Sequence, residues 1–175
     1  MTLRHSLLTL SGAALLAGCQ AGLPPLETVE RVDLERFMGD WYVIANIPTF
    51  LEKDAHNAVE SYRLDDDGTI ATTFTFRKGA FDGPEKTYRP RGFVRDTESN
   101  AEWGMQFVWP IKADYRIVYL DESYSTTVIG RNKRDYVWIM AREPSIDEAH
   151  YGEIIRFLGE AGYDTEAILE VPQRW

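Results

Sequence analysis

Few residues of this chain are placed to carry out covalent or metal chemistry. The single cysteine, Cys19, has no partner, so an intramolecular disulfide and a Cys-rich zinc site are both excluded. The three histidines, His5, His56 and His150, have no second ligand at metal spacing, which makes no metal the expectation and a surface role the plain reading of each. Neither Gly-x-Ser-x-Gly nor His-Glu-x-x-His occurs. What remains is one acid in unusual company. Glu60 shares strand parity with Ala58 and Tyr62, so an inward-facing Glu60 must be hydrogen-bonded or neutral. Its partner would be Tyr119 or a hydroxyl on a ligand, unless the register turns it outward. For catalysis on a lipid, Tyr119, Tyr136 or Glu60 would serve as acid or base.

The elements that position these groups are mostly strands. Ile70, Phe74 and Phe76 alternate with small or polar residues, and so do Trp103, Met105 and Phe107, then Tyr115, Ile117 and Tyr119, then Tyr136, Trp138 and Met140. Turn signals separate the runs: Asp66-Asp67-Gly68, Asp82-Gly83-Pro84, Asp96 to Asn100, Asp121-Glu122-Ser123 and Arg131 to Arg134. The pattern predicts eight strands, at 41–48, 56–64, 69–77, 86–95, 102–108, 114–120, 125–130 and 135–142. Short links favour an all-β, up-and-down antiparallel barrel, whose interior holds side chains or one small ligand. The period changes over 144–160, where Ser145-Ile146-Asp147-Glu148 reads as a capping box and Tyr151, Ile154, Ile155 and Leu158 share one helical face. This helix is expected on the outer wall of the barrel. At 175 residues there is room for one ordinary domain, and 44% hydrophobic residues argue against disorder. The net charge of −9 disfavours a nucleic-acid partner.

Parity directs Tyr62, Phe74, Phe76, Met105, Phe107, Ile117, Tyr119, Tyr136, Trp138 and Met140 inward, with Glu60 beside them. Aromatics and methionines dominate where branched aliphatics would fill a packed core. Such a lining suits a long-chain amphiphile, its tail down and its polar head near the mouth. The loops of one end carry Lys53, Lys78, Lys86, Lys112, Arg131, Lys133 and Arg134, a basic ring that would attract a phosphate or carboxylate head. Phe50, Leu51, Trp109 and Ile111 are apolar at the same end and are placed to touch lipid.

Two resemblances sharpen this reading. Residues 1–18 combine Arg4 and His5 with an uncharged run of roughly a dozen residues, too short to span a membrane. The ending Leu16-Ala17-Gly18-Cys19 resembles the lipobox of bacterial lipoproteins. That resemblance implies a signal peptide over 1–18, an acylated Cys19, and a tether over 19–34 that includes Pro24-Pro25. Gln20 in place of Asp favours the Gram-negative outer membrane, facing the periplasm. The chain from Gly39-Asp40-Trp41-Tyr42 through the strands to the late helix resembles the lipocalin family, closest to its bacterial outer-membrane and apolipoprotein D branch. Arg134-Asp135-Tyr136 resembles a second motif of that family and Arg142 a third, while the Cys that animal members often carry is missing. The resemblance covers about residues 35–172. It implies that Gly39 and Trp41 close the barrel, with Asp135 in a structural motif and Arg142 over the indole, a cation–π contact worth about 0.5–2 kcal/mol.

The resulting expectation is a barrel domain over 35–175 that binds, stores or transports a fatty acid or lysophospholipid. It acts without cofactor or catalysis, in envelope maintenance under stress, in an oligomeric state left open. Glu60, Tyr62, Phe74, Phe76, Met105, Phe107, Ile117, Tyr119, Tyr136, Trp138 and Met140 would form the ligand site, with Lys53, Lys112 and Arg131 at the mouth. The rivals are isomerase- or de-epoxidase-like chemistry on a lipid, and a barrel filled by its own side chains. For the anchor, radiolabelled palmitate is expected to enter the wild-type protein in its host and not Cys19→Ser; equal labelling of the two refutes it.

Overall fold

The computed structural model describes residues 23–175, so the expected signal peptide and Cys19 lie outside the described residues. Nine strands follow one another: β1 (Gly39–Ile47), β2 (Ala55–Leu64), β3 (Thr69–Lys78), β4 (Glu85–Tyr88), β5 (Arg91–Val94), β6 (Glu102–Val108), β7 (Ile111–Leu120), β8 (Thr126–Gly130) and β9 (Val137–Ala141). Sequence neighbours pair antiparallel around the sheet, and β1 pairs with β9 to close it. β4 and β5 both pair with β3, so they are one strand of the barrel, interrupted. The expected strand 86–95 breaks at Arg89-Pro90 because proline has no N–H to give the ladder; its carbonyl still accepts the Thr72 N–H at 3.2 Å. Eight strands therefore close into an antiparallel up-and-down barrel.

One end is plugged by a helix that the sequence pattern did not suggest. α1 (Leu34–Phe37) is a single turn, capped by Asp33, whose carboxylate accepts the Arg36 N–H. It drops Phe37 between Trp41, Tyr62 and Trp103, with ring centroids at 5.1, 5.6 and 5.5 Å. The Trp41 indole donates to the Phe37 carbonyl at 2.9 Å. Arg142 covers the other side: its guanidinium carbon lies 3.8 Å from the Trp41 ring centroid. The same guanidinium donates to the carbonyls of Asp40 (2.7 Å), Arg36 (2.9 Å), Phe37 (3.0 Å) and Met38 (2.8 Å). Gly39, at φ +98°, makes the turn between α1 and β1, and a Cβ there would meet the Arg142 guanidinium at 3.3 Å.

The segment expected as a tether is packed on the barrel from Leu26 onward. Leu26 and Val32 are buried, and the Val29 and Val32 amides bond the carbonyls of Ile117 (3.0 Å) and Ser99 (2.7 Å). Apolar residues spaced along this stretch cover the barrel instead of leaving it free. At the other terminus a 3₁₀ turn (Thr165–Ala167) leads to β10 (Leu169–Glu170), which pairs with β1. β2 parts from β1 beyond Val59, near Asn57 at φ +48°. The C-terminal chain fills the gap: Val171 N–H bonds the Ile44 carbonyl and Asn57 N–H bonds the Pro172 carbonyl, both at 2.8 Å.

α2 (Glu148–Glu160) lies on the outer wall, burying Ile154 and Leu158 with Ala45, Val118, Val128, Val137 and Ile139. Its cap is Asp147 rather than Ser145: the Asp147 carboxylate accepts the His150 N–H at 2.8 Å. A charged cap also gains from the helix dipole, and Ile146 just outside it joins the apolar cluster with Tyr151. Arg142→Ala removes a charged donor from five carbonyls, that of Tyr124 included, and an expected loss of about 2–4 kcal/mol follows. Urea denaturation measures it, and Arg142→Lys recovers less than half, because an ammonium cannot present the guanidinium fork.

Candidate functional site

With one end plugged, the strand ends Ile47, Lys78, Val108 and Gly130 and the loops after them form the open rim. Between rim and plug lies a cavity of about 520 Å³, in the range of small-molecule sites. Thr49, Phe50, Leu51, Val108 and Ile111 line its upper part with Arg131 and Tyr136. Glu60, Phe74, Met105 and Tyr115 line it lower down, and Tyr88, Phe107 and Trp138 complete the wall.

The expected interior residues divide into three groups. Glu60, Phe74, Met105, Phe107, Tyr136 and Trp138 line the cavity, although Phe107 is half exposed at the rim. Tyr62, Phe76, Ile117 and Met140 belong to the inner cluster that packs around and beneath it. Tyr119 does not face inward. A bulge between Ile117 and Tyr119 shifts the register against β8, so Val118 and Tyr119 both point out to α2. There the Tyr119 hydroxyl lies 3.1 Å from His150 Nε2. A bulge adds one residue to one strand, and alternation fails across it.

The basic ring expected at the mouth contributes little to the cavity wall itself. Among the named mouth residues Arg131 alone lines it; Lys53 does not, and Lys112 Nζ sits 3.4 Å from the Phe93 ring centroid on the outer face of β5. Arg131 pairs with Asp135 at 3.4 Å and lies 5.2 Å from the Tyr136 ring centroid, while its Nε is buried without a partner. Acids outnumber bases on this wall: Glu52, Glu60 and Asp114 face one arginine. Asp114 is held by Arg116 (3.3 Å) and the Asn132 N–H (2.8 Å).

The two glutamates were not equally visible. Glu52, in the β1–β2 loop, has no strand parity to reveal it, yet it is buried and takes three donors. Thr49 Oγ1 and Trp138 Nε1 reach it at 2.7 Å and Asn46 Nδ2 at 2.9 Å. Burial raises its pKa against those bonds. Glu60 has one hydroxyl partner, Tyr62, whose oxygen is also 2.5 Å from that of Tyr115. Tyr115 was visible as the first member of its alternating run. Burial, reinforced by the nearby Glu52 charge, pushes Glu60 up to about 8. The three acid–base candidates are not brought together, since Tyr119 is outside, Tyr136 is near the rim and Glu60 is deep. Among the described residues no group of three or more His, Cys, Asp or Glu is arranged to hold a metal.

A barrel with a Gly-x-Trp plug, a late arginine over the indole and one outer helix matches a known family over most of its length: the lipocalin-like domain family, over residues 32–173. The chain belongs to that family. It is 29% identical over 160 residues to temperature-induced lipocalin-1 of Arabidopsis thaliana, covering 85% of this chain and 83% of that one. It is 26% identical over 175 residues to outer membrane lipoprotein Blc of Escherichia coli, covering 93% of each. Insecticyanin of Manduca sexta shares the fold, with a TM-score of 0.65 at 13% identity over 85% of this chain and 84% of that one.

The buried acid makes this lipocalin sensitive to pH. A pKa near 8 in the folded chain, against an ordinary value of 4.5, means that the folded state holds the proton between those values while the unfolded state releases it. Stability therefore falls as pH rises from about 4.5 to 8. Glu60→Gln is expected to flatten that decline and to be more stable than wild type at pH 9 by a few kcal/mol, read from urea midpoints. An unchanged slope would show that the carboxyl ionises without penalty.

Proposed function

We propose that this lipocalin is a non-catalytic carrier of a long-chain lipid, a fatty acid or lysophospholipid, held tail-down in the barrel. It would be tethered by an acylated Cys19 to the periplasmic face of the outer membrane, in the service of envelope maintenance. The observation that carries this reading is the apolar cavity of about 520 Å³ that opens at one end. A barrel filled by its own side chains would leave no such space. Arg131, on the cavity wall and paired only loosely with Asp135 at 3.4 Å, sets a cation near the mouth for an anionic head.

The rim supports a membrane partner. Phe50 (82% exposed), Trp109 (83%), Ile111 (70%) and Val108 (68%) cluster on the mouth loops, a costly exposure unless lipid covers it. The N-terminal chain leads to the same end. Leu26 N–H bonds Asn132 Oδ1 in the β8–β9 loop, and Leu23 reaches Gly162 just past α2, where Arg134 of that loop binds the Ala161 carbonyl. Cys19 is four residues further, a reach of at most about 14 Å. An anchor there brings the mouth to the bilayer, so a lipid passes between membrane and barrel with little exposure to water. The kinship with outer membrane lipoprotein Blc agrees with this placement.

The test is displacement of a fluorescent fatty acid, read from the emission of the probe itself. Affinity is expected to rise by about 0.8 kcal/mol per CH₂ and to level off once the tail meets the plug. Trp138→Asp abolishes binding at every chain length by placing a further charge beside Glu52. Arg131→Ala weakens carboxylates but not the matched alcohols, and Lys112→Glu leaves both unchanged. A folded Trp138→Asp chain that binds normally puts the ligand outside the barrel.

A further inference from the structure

Glu60 is the feature of the cavity that a plain hydrocarbon tail leaves unexplained. It is 9% exposed, and its register sets it opposite Trp41 of β1 and Phe74 of β3. Tyr62, the next inward residue of β2, already packs on Phe37 and Trp103 of the plug, so Glu60 stands one side-chain step above the floor. One carboxyl oxygen, Oε2, accepts the Tyr62 hydroxyl. The other, Oε1, has no protein partner among the described residues, and the side chain lines the cavity. The other two acids on the wall are engaged: Glu52 by three donors, Asp114 by Arg116 and a backbone amide.

A tail descending from the mouth brings its lower segment against Oε1. A methylene placed there strips the oxygen of water and returns nothing, whereas a hydroxyl replaces the lost hydrogen bond. A hydroxyl both donates and accepts, so it meets this carboxyl in either protonation state. A ligand carboxylate at that depth would itself have to leave water for a low-dielectric interior, a far larger cost than burying a hydroxyl. We infer that the barrel selects a long-chain lipid bearing a hydroxyl on its buried segment, with Glu60 as the specificity-determining contact. Tyr62 and Tyr115 hold the carboxyl in place from behind. The inference rests on the barrel interior being the ligand site.

The experiment is competition against a fluorescent fatty acid by hexadecanoic acid and by hexadecanoic acids hydroxylated at mid-chain or at the ω end. On the wild-type protein at least one hydroxylated acid is expected to bind about tenfold tighter than the plain acid, the scale of one hydrogen bond. Glu60→Gln keeps the preference, since the amide oxygen still accepts. Glu60→Leu loses it, binding the hydroxylated acid about tenfold less tightly and the plain acid more tightly. Equal binding of all three acids by the wild type overturns the inference while leaving the interior as the lipid site. So does a preference that survives Glu60→Leu. Failure of every acid to displace the probe overturns both readings together.

Discussion

The clamp of Arg142 on Trp41 is the contact on which the remaining architecture depends. A closed sheet has two open ends, and a cavity with two openings retains nothing. Here one guanidinium lies on the indole and gathers the carbonyls of residues 36, 37, 38 and 40, tying the end of β9 to α1 and the start of β1. The residues it joins are about a hundred positions apart, so the contact closes both the barrel and its floor. The glycine at position 39 follows from the same constraint, since the chain must turn where the guanidinium already occupies the space.

A plugged floor gives the interior a direction, and the polar groups follow it. Polar side chains inside an apolar barrel are tolerated only when something answers them. Near the rim, the Glu52 carboxylate is answered by a hydroxyl, an amide and an indole, and it thereby fixes the orientation of Trp138. Near the floor, Glu60 is answered on one oxygen only, and burial with the nearby Glu52 charge raises its pKa. The same burial that weakens the fold at alkaline pH leaves an acceptor for a bound molecule.

The two termini complete what the strands begin. The first described residues run over the outside of the barrel from the open rim to the plug, and the last residues fill the gap where β2 leaves β1. Both are held by backbone and side-chain hydrogen bonds to the strands and loops they cross. The N-terminal path leads the chain toward the rim that carries the exposed Phe50 and Trp109.

Local alternation, turn residues and the late change of period determined the barrel, its strand order and the outer helix, because each depends on neighbours in sequence and on one buried face. Gly39, Trp41 and Arg142 were legible as a closing motif, and most inward residues followed from parity alone. Parity failed at the bulge after Ile117, where one extra residue sends Tyr119 outward. The strand at 86–95 split at Pro90, and the tether folded down onto the wall. Loop residues carry no alternation, so the burial of Glu52 and the outward lie of Lys112 were settled only when the strands were brought together. The lining at the mouth was decided for the same reason: sequence counts the bases on a loop, but only the folded chain decides which of them reach the cavity, and Arg131 alone of the expected mouth residues lines it.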